Sequence, residues 1–293
     1  MGSKSQDQAQ APSAPGSAPT APRLVVGDDG SSAADVVWLW VNNHRWPGWR
    51  ISVVTARVPP VGPPVGAERG TLHPWEPPHP RQLFTDGAEI EHLFAEADPR
   101  VALDSCTDAA LVAVGPRGRG LWKSLHVGST TEWLIGAHRP LAPVVVVRSA
   151  RVTQDVLLCM DGSGHARAAL EALLTLPWLT TCRVAVLGVD DGYNQTGAAV
   201  DHAVAQLHEH GVDQVRHDVV TALTHTAEFD TRSVILTTIA DLSPDLVAVG
   251  ARGTGGVRGL LVGSVTAAVV HHAPCSVLVA KTGDQQVRAT EPS

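Results

Sequence analysis

Two stretches of the chain carry glycines at one spacing. Gly115, Gly118 and Gly128-Ser129 follow the pattern G-x2-G-x9-G-S, and Gly250, Gly253 and Gly263-Ser264 repeat it without a gap. Glycine this dense costs chain entropy, so its bareness must serve a close approach of backbone or ligand. Each stretch begins at the end of an apolar run, "LVAVG", and closes where a helix can start. A strand-to-helix junction of this kind presents unpaired N–H groups and the positive end of a helix dipole, which favour an anion. The hydroxyls of Ser129 and Ser264 add a donor each. Arg117 and Arg252 stand between the first two glycines, where they suit a phosphate contact or a solubilising surface charge. Phosphate fits such a cradle better than an apolar ligand does.

A carboxylate accompanies each glycine motif. Asp29 and Asp161 both follow an apolar run and precede "GS". At the carboxyl end of a strand such a group can accept hydrogen bonds from a ribose hydroxyl. "DGS" is also good turn chemistry, but the matched motif in both copies favours the binding role. Two better-known phosphate signatures are absent: Lys123-Ser124 follows Trp122 and not glycine, and no G-x-G-x-x-G follows a first strand. Fourteen histidines include His202, His208 and His210 on one predicted helix, but these do not share a face, so no metal site is expected. Ser129 and Ser264 have no partner placed to activate them as nucleophiles, so no catalytic residue is assigned.

The elements that must position these residues are written twice. Asp29 matches Asp161 and Asp98 matches Asp230, each 132 residues apart, while the glycine motifs lie 135 apart and "APVVVVR" (142–148) precedes "APCSVLVAK" (273–281) by 131. Landmarks in the same order with so few insertions indicate a duplicated domain. Within each copy apolar strand-like runs alternate with helix-like ones, which predicts a parallel sheet covered on both faces, one per repeat. The helix opening "DPR" carries an Asp cap and Pro at its first position. The copies differ at 57–84, "RVPPVGPPVGAERGTLHPWEPPHPRQLF", where so much proline excludes a helix and favours an extended surface segment. Such a segment is an irregular connection or, with Trp75 over the ligand, a lid.

This pattern resembles the universal stress protein family in its tandem form, over about residues 23 to 282. The resemblance rests on the opening "VVGDDGS" and "LLCMDGS", the "LVAVGxRG" turns, the G-S pairs and the closing "HAPCSVLVAK". It implies two Rossmann-like, HUP-type α/β domains, 23–149 and 152–282, each a five-stranded parallel sheet in the order 3-2-1-4-5 with helices on both faces. It implies ATP, alone or as its magnesium complex, with phosphates on Gly115, Gly118, Gly128 and Ser129 and on Gly250, Gly253, Gly263 and Ser264. Gly255 and Val265 complete the second set. Ribose or adenine falls near Asp29 and Asp161, and the second-strand ends Ala56 and Val189 offer backbone contacts to adenine. Gly27 is a further backbone-contact position, occupied by Cys159 in the second copy, and Trp122 stands where it could crowd the first site. The resemblance also implies a homodimer paired through the fifth-strand edges.

Bulk properties set the remaining bounds. The chain has 293 residues and a formal charge of −7, which argues against general affinity for nucleic acid or anionic membrane. No apolar run approaches the roughly 20 residues that span a bilayer, and the N-terminus lacks a secretory layout. The four cysteines have no metal-ligand spacing, and Cys159 and Cys275 sit in apolar runs as small hydrophobes. A reduced cytoplasmic protein is expected, with disordered tails at 1–22 and 283–293. Three functions fit: a regulatory adenine-nucleotide-binding protein of stress response, a nucleotide-independent protein-interaction module, and a slow ATPase.

Overall fold

The computed structural model describes residues 21–58, 71–83, 88–118, 127–136, 142–190, 196–221, 230–253 and 262–282. The expected tails therefore lie almost wholly outside the described residues, as do Trp122, Gly255 and much of the proline-rich segment. In the first half the strands are β1 (Arg23–Gly27), β2 (Arg50–Ala56), β3 (His73–Pro74), β4 (Glu89–Ala95), β5 (Leu111–Val114) and β6 (Val144–Val146). The second half has β7 (Asp155–Met160), β8 (Arg183–Asp190), β9 (Gln214–Thr221), β10 (Leu246–Gly250) and β11 (Ser276–Ala280). The helices are α1 (Ser32–Asn43), α2 (Pro99–Asp104), α3 (Ser129–Gly136), α4 (Gly164–Leu174), α5 (Thr196–Glu209), α6 (Thr231–Leu242) and α7 (Ser264–His272).

Local chemistry sets most of these boundaries. The Ser31 hydroxyl accepts from Ala34 N, Ser163 from Ala166 N, and the Asp98 and Asp230 carboxylates from Arg100 N and Ser233 N. Each cap satisfies an otherwise orphaned donor at a helix start. Past the end of α5 the chain turns at Gly211, where φ is +88°, a conformation that costs glycine little. The central strands β1, β5, β6, β10 and β11 are buried nearly end to end, as a sheet covered on both faces requires.

Among the described residues the strands form one mixed sheet of eleven, in the order β3-β4-β2-β1-β5-β6-β11-β10-β7-β8-β9. All neighbours are parallel except β3 against β4 and β6 against β11. This corrects two expectations. The copies do not build separate sheets, because the fifth strands of both halves pair with each other, Val145 opposite Leu278. For the same reason those edges cannot join two chains: their N–H and C=O groups are already satisfied within one chain. Two side chains tie the halves further. Lys281 Nζ donates to Leu134 O at 3.4 Å, near the end of α3, and Arg148 donates to Val270 O near the end of α7. Cations at helix C-termini are favourably placed.

The proline-rich segment is extended where described, and it covers the opposite edge. Trp75 N donates to His92 O at 2.9 Å and its ring lies 5.5 Å from that of Phe94. Trp75 therefore caps the sheet edge and does not cover the ligand crevice.

The apolar core lies on the two faces of the sheet, and each layer runs across both halves. At the seam, Trp40 of α1 meets Trp178 at 6.0 Å and 87°, and Trp46 at 5.7 Å and 61°. His44 closes this cluster. Its Nδ1 donates to Trp40 O at 2.7 Å, while its Nε2 accepts from Thr153 N at 3.0 Å. Burial lowers the His44 pKa below 6.5, and an added proton on Nε2 would displace the Thr153 bond. The unfolded chain then takes up a proton near pH 6.5 that folded His44 refuses. Stability present above that pH is lost as pH falls through the folded pKa. Thermal midpoints should drop as pH is lowered from about 7.5 to about 5.5, and less so in His44→Gln.

Candidate functional site

β1 has β2 on one side and β5 on the other, so strand order reverses at β1. Chains leaving neighbouring strands toward opposite faces open a crevice at the carboxyl ends, the usual ligand position in such sheets. A cavity of about 510 Å³ occupies this crevice, a size within the range of ordinary ligand sites. Gly27 and Asp29 line it from β1, Ala56 from β2, Gly115, Arg117 and Gly118 from the turn after β5, and Gly128 and Ser129 from the start of α3. All eight residues singled out in the first half therefore surround one space.

The glycine turn closes the same way in both halves. Gly128 N donates to Pro116 O at 2.7 Å, and Gly263 N to Ala251 O at 2.8 Å. Thr131 Oγ1 donates to Gly115 O at 2.9 Å and Thr266 Oγ1 to Gly250 O at 2.6 Å, anchoring α3 and α7 to the strand ends. The outer glycines differ in how closely their surroundings approach. A Cβ at Gly263 would stand 3.3 Å from Arg252 Cα, and one at Gly128 would stand 3.4 Å from Arg117 Cα. At both positions the turn packs closely on itself, and Gly128 also lines the cavity. At Gly250 a Cβ would lie 2.6 Å from Ala166 N, so the glycine lets α4 pack on β10.

The middle glycines behave differently. A Cβ at Gly253 would lie 2.6 Å from Asp161 Oδ2, and one at Gly118 would collide likewise with Asp29 Oδ2. The motif and the aspartate, 89 or 92 residues apart in sequence, thus meet in each half. Each aspartate also does the turn's work: Asp29 Oδ1 accepts from Ser31 N at 3.0 Å, and Asp161 Oδ1 from Ser163 N at 2.9 Å. The turn bond uses Oδ1, whereas the oxygen beside the glycine is Oδ2.

Sequence reasoning missed other parts of the lining. Asp28, Thr55, Arg57, Leu103 and Thr131 also face the cavity. Arg81, from the proline-rich segment, donates to Asp28 Oδ2 at 2.7 Å and to Asp35 Oδ1 at 2.8 Å. Burial would raise the Asp28 carboxyl, but Arg81 and Gly30 N hold it below its ordinary value. Arg57 was findable, since it directly follows Ala56, the second-strand end expected at the site. The Arg81 contact had no sequence signal.

In the second half, Asp161, Gly250, Arg252, Gly253, Gly263 and Ser264 occupy the corresponding positions, with Val265 in the first turn of α7. Val189 is buried, as is the neighbouring Leu187. Burial pushes the Cys159 thiol up to about 12 and those of Cys106, Cys182 and Cys275 to about 11. Their thiols are thus protonated at neutral pH and poorly nucleophilic.

Comparison with known proteins places this architecture. Residues 153–281 match the universal stress protein family. Proteins of that name from Mycobacterium tuberculosis and Mycobacterium bovis are 26% identical to the chain, over 88% of it and 96% of their own length. The second half of the chain thus matches the universal stress protein family model, and nearly the whole chain is similar to proteins of that family. A putative universal stress protein of Staphylococcus aureus aligns at 24% identity with 44% of the chain, covering 84% of itself. Among solved structures, a universal stress protein from Archaeoglobus fulgidus superposes with a TM-score of 0.63 at 18% identity, covering 90% of this chain and all of its own. A putative universal stress protein from Pseudomonas aeruginosa gives 0.53 at 12% identity, with 92% and 96% covered. At such identities the structural likeness shows the universal stress fold alone. No helix among the described residues is long and apolar enough to cross a membrane.

Proposed function

We propose that this chain is a universal stress protein acting as a regulatory adenine-nucleotide sensor, built of two tandem domains, 23–149 and 152–282. The observation that carries the reading is the convergence of the first motif, Asp29, Gly27 and Ala56 on one cavity of about 510 Å³ at the reversal of strand order. The residues fit ATP by type. Peptide N–H groups of the 115–118 turn and the start of α3 suit phosphates, with Arg117 at the cavity wall supplying positive charge. Asp29 suits ribose hydroxyls, and the end of β2 offers backbone groups and the small Ala56 to a flat base. When bound, ATP supplies a polyanion whose occupancy stabilises whichever conformation holds it better.

The slow-ATPase reading lacks an observation that favours it. No described histidine lines the cavity near Ser129, and Asp28 is engaged by Arg81. The interaction-module reading loses its mechanism, because the fifth strands are paired within the chain. The experiment is a thermal shift with ATP, its magnesium complex and adenosine. ATP should raise the midpoint and adenosine should do so far less. No shift with either form of ATP would remove the reading.

A further inference from the structure

The two halves keep the same glycine turn but not the same nucleoside pocket. Strand register fixes the correspondence: Gly27 pairs with Val54 in the first half as Cys159 pairs with Leu187 in the second. Counting from these pairs, Ala56 corresponds to Val189 and Arg57 to Asp190. At each of the three apolar positions the second half carries more atoms. Leu187 and Val189 are 4% and 6% exposed and pack in one apolar cluster with Ile235, and Cys159 packs against it. Gly27, Val54 and Ala56 line the first-half cavity, so the larger side chains at the matching positions of the second half narrow the corresponding space. Charge changes as well, since the cation Arg57 at the cavity wall has the anion Asp190 as its counterpart. An anion in place of a cation makes the second crevice less favourable to a polyanionic ligand, an effect only partly screened at physiological ionic strength.

We infer that the chain binds one nucleotide, in the first half only, and that Cys159, Leu187, Val189 and Asp190 exclude a nucleoside from the second. The inference rests on the nucleotide-binding reading above and adds to it the stoichiometry and the residues that set it. The second glycine turn then serves as structure: it holds α7 and β10 together through Gly263 N and Thr266 Oγ1. Interiors packed to ordinary density do not admit a purine without displacing their own atoms.

Native mass spectrometry and calorimetry of the full chain with ATP test this. The unmodified protein should bind one ATP per chain. Gly118→Val should abolish that binding, and Gly253→Val, an equal insult beside Asp161, should leave it within about twofold. The triple variant Cys159→Gly, Leu187→Val, Val189→Ala should take up a second ATP. Two ATP per unmodified chain, or binding lost with Gly253→Val and kept with Gly118→Val, would overturn the inference while sparing nucleotide binding itself. A folded triple variant that still binds one would overturn the steric explanation. If the triple variant does not fold, the unmodified stoichiometry and the two valine variants decide. No binding to any form would overturn both readings together.

Discussion

Gly118→Val is expected to weaken ATP binding by about 100-fold or more, near 2.7 kcal/mol, with little change in melting temperature. Gly118 is exposed, and its backbone is not in the left-handed region, so valine is tolerated by the fold. What valine cannot do is share space with Asp29 Oδ2. The carboxylate must swing away, and two consequences follow at once. A hydrogen bond from a sugar hydroxyl to a charged acceptor, about 1.5–3 kcal/mol, is lost. The added methyls also intrude where Gly118 now borders the cavity. Calorimetry against ATP, alongside a thermal melt, reads both parts. Unchanged affinity would mean that neither Asp29 nor the turn touches the ligand.

Trp40→Ala should carry the largest stability penalty of any single change at the seam, about 3–5 kcal/mol. Its ring is 1% exposed and contacts Trp46, Trp178 and His44. Removing it leaves a cavity that three rigid neighbours cannot readily fill, and it takes away edge-to-face contacts worth about 0.5–1.5 kcal/mol each. Because Trp178 belongs to the second half, the damage spreads across the seam. Denaturant unfolding followed by tryptophan fluorescence measures the shift in midpoint. A loss below about 1 kcal/mol would show that the ring does not pack as described.

The parts legible in the sequence are those fixed by neighbours a few residues away. Asp98 and Asp230 cap helices because a carboxylate and its N–H target lie two or three residues apart. The glycine turns were legible because strand, motif and helix are consecutive, and Asp29 could be brought to them because a duplicated pattern implied the same pairing twice. Residues that depend on distant partners were not legible. Nothing local says that Val145 will lie opposite Leu278, since β6 and β11 would suit any exposed edge equally well. Arg81 reaches Asp28 across 53 positions, from a segment whose prolines announce only that it is not helical. The close packing of Gly250 against α4 was not legible for a related reason. A spacing shows that a side chain is unwelcome, but not whether ligand or backbone excludes it.

The central claim is that bare peptide groups of the 115–118 turn and the start of α3 hold a phosphate chain. Calorimetric titration of the unmodified protein with ATP and with adenosine, at low and at physiological salt, tests it most directly. ATP should bind at least about 100-fold more tightly than adenosine, as two charge-assisted bonds of about 1.5 kcal/mol each, the low end of their range, would give, and salt should narrow the gap. Equal affinity for the two, at either salt concentration, would contradict it.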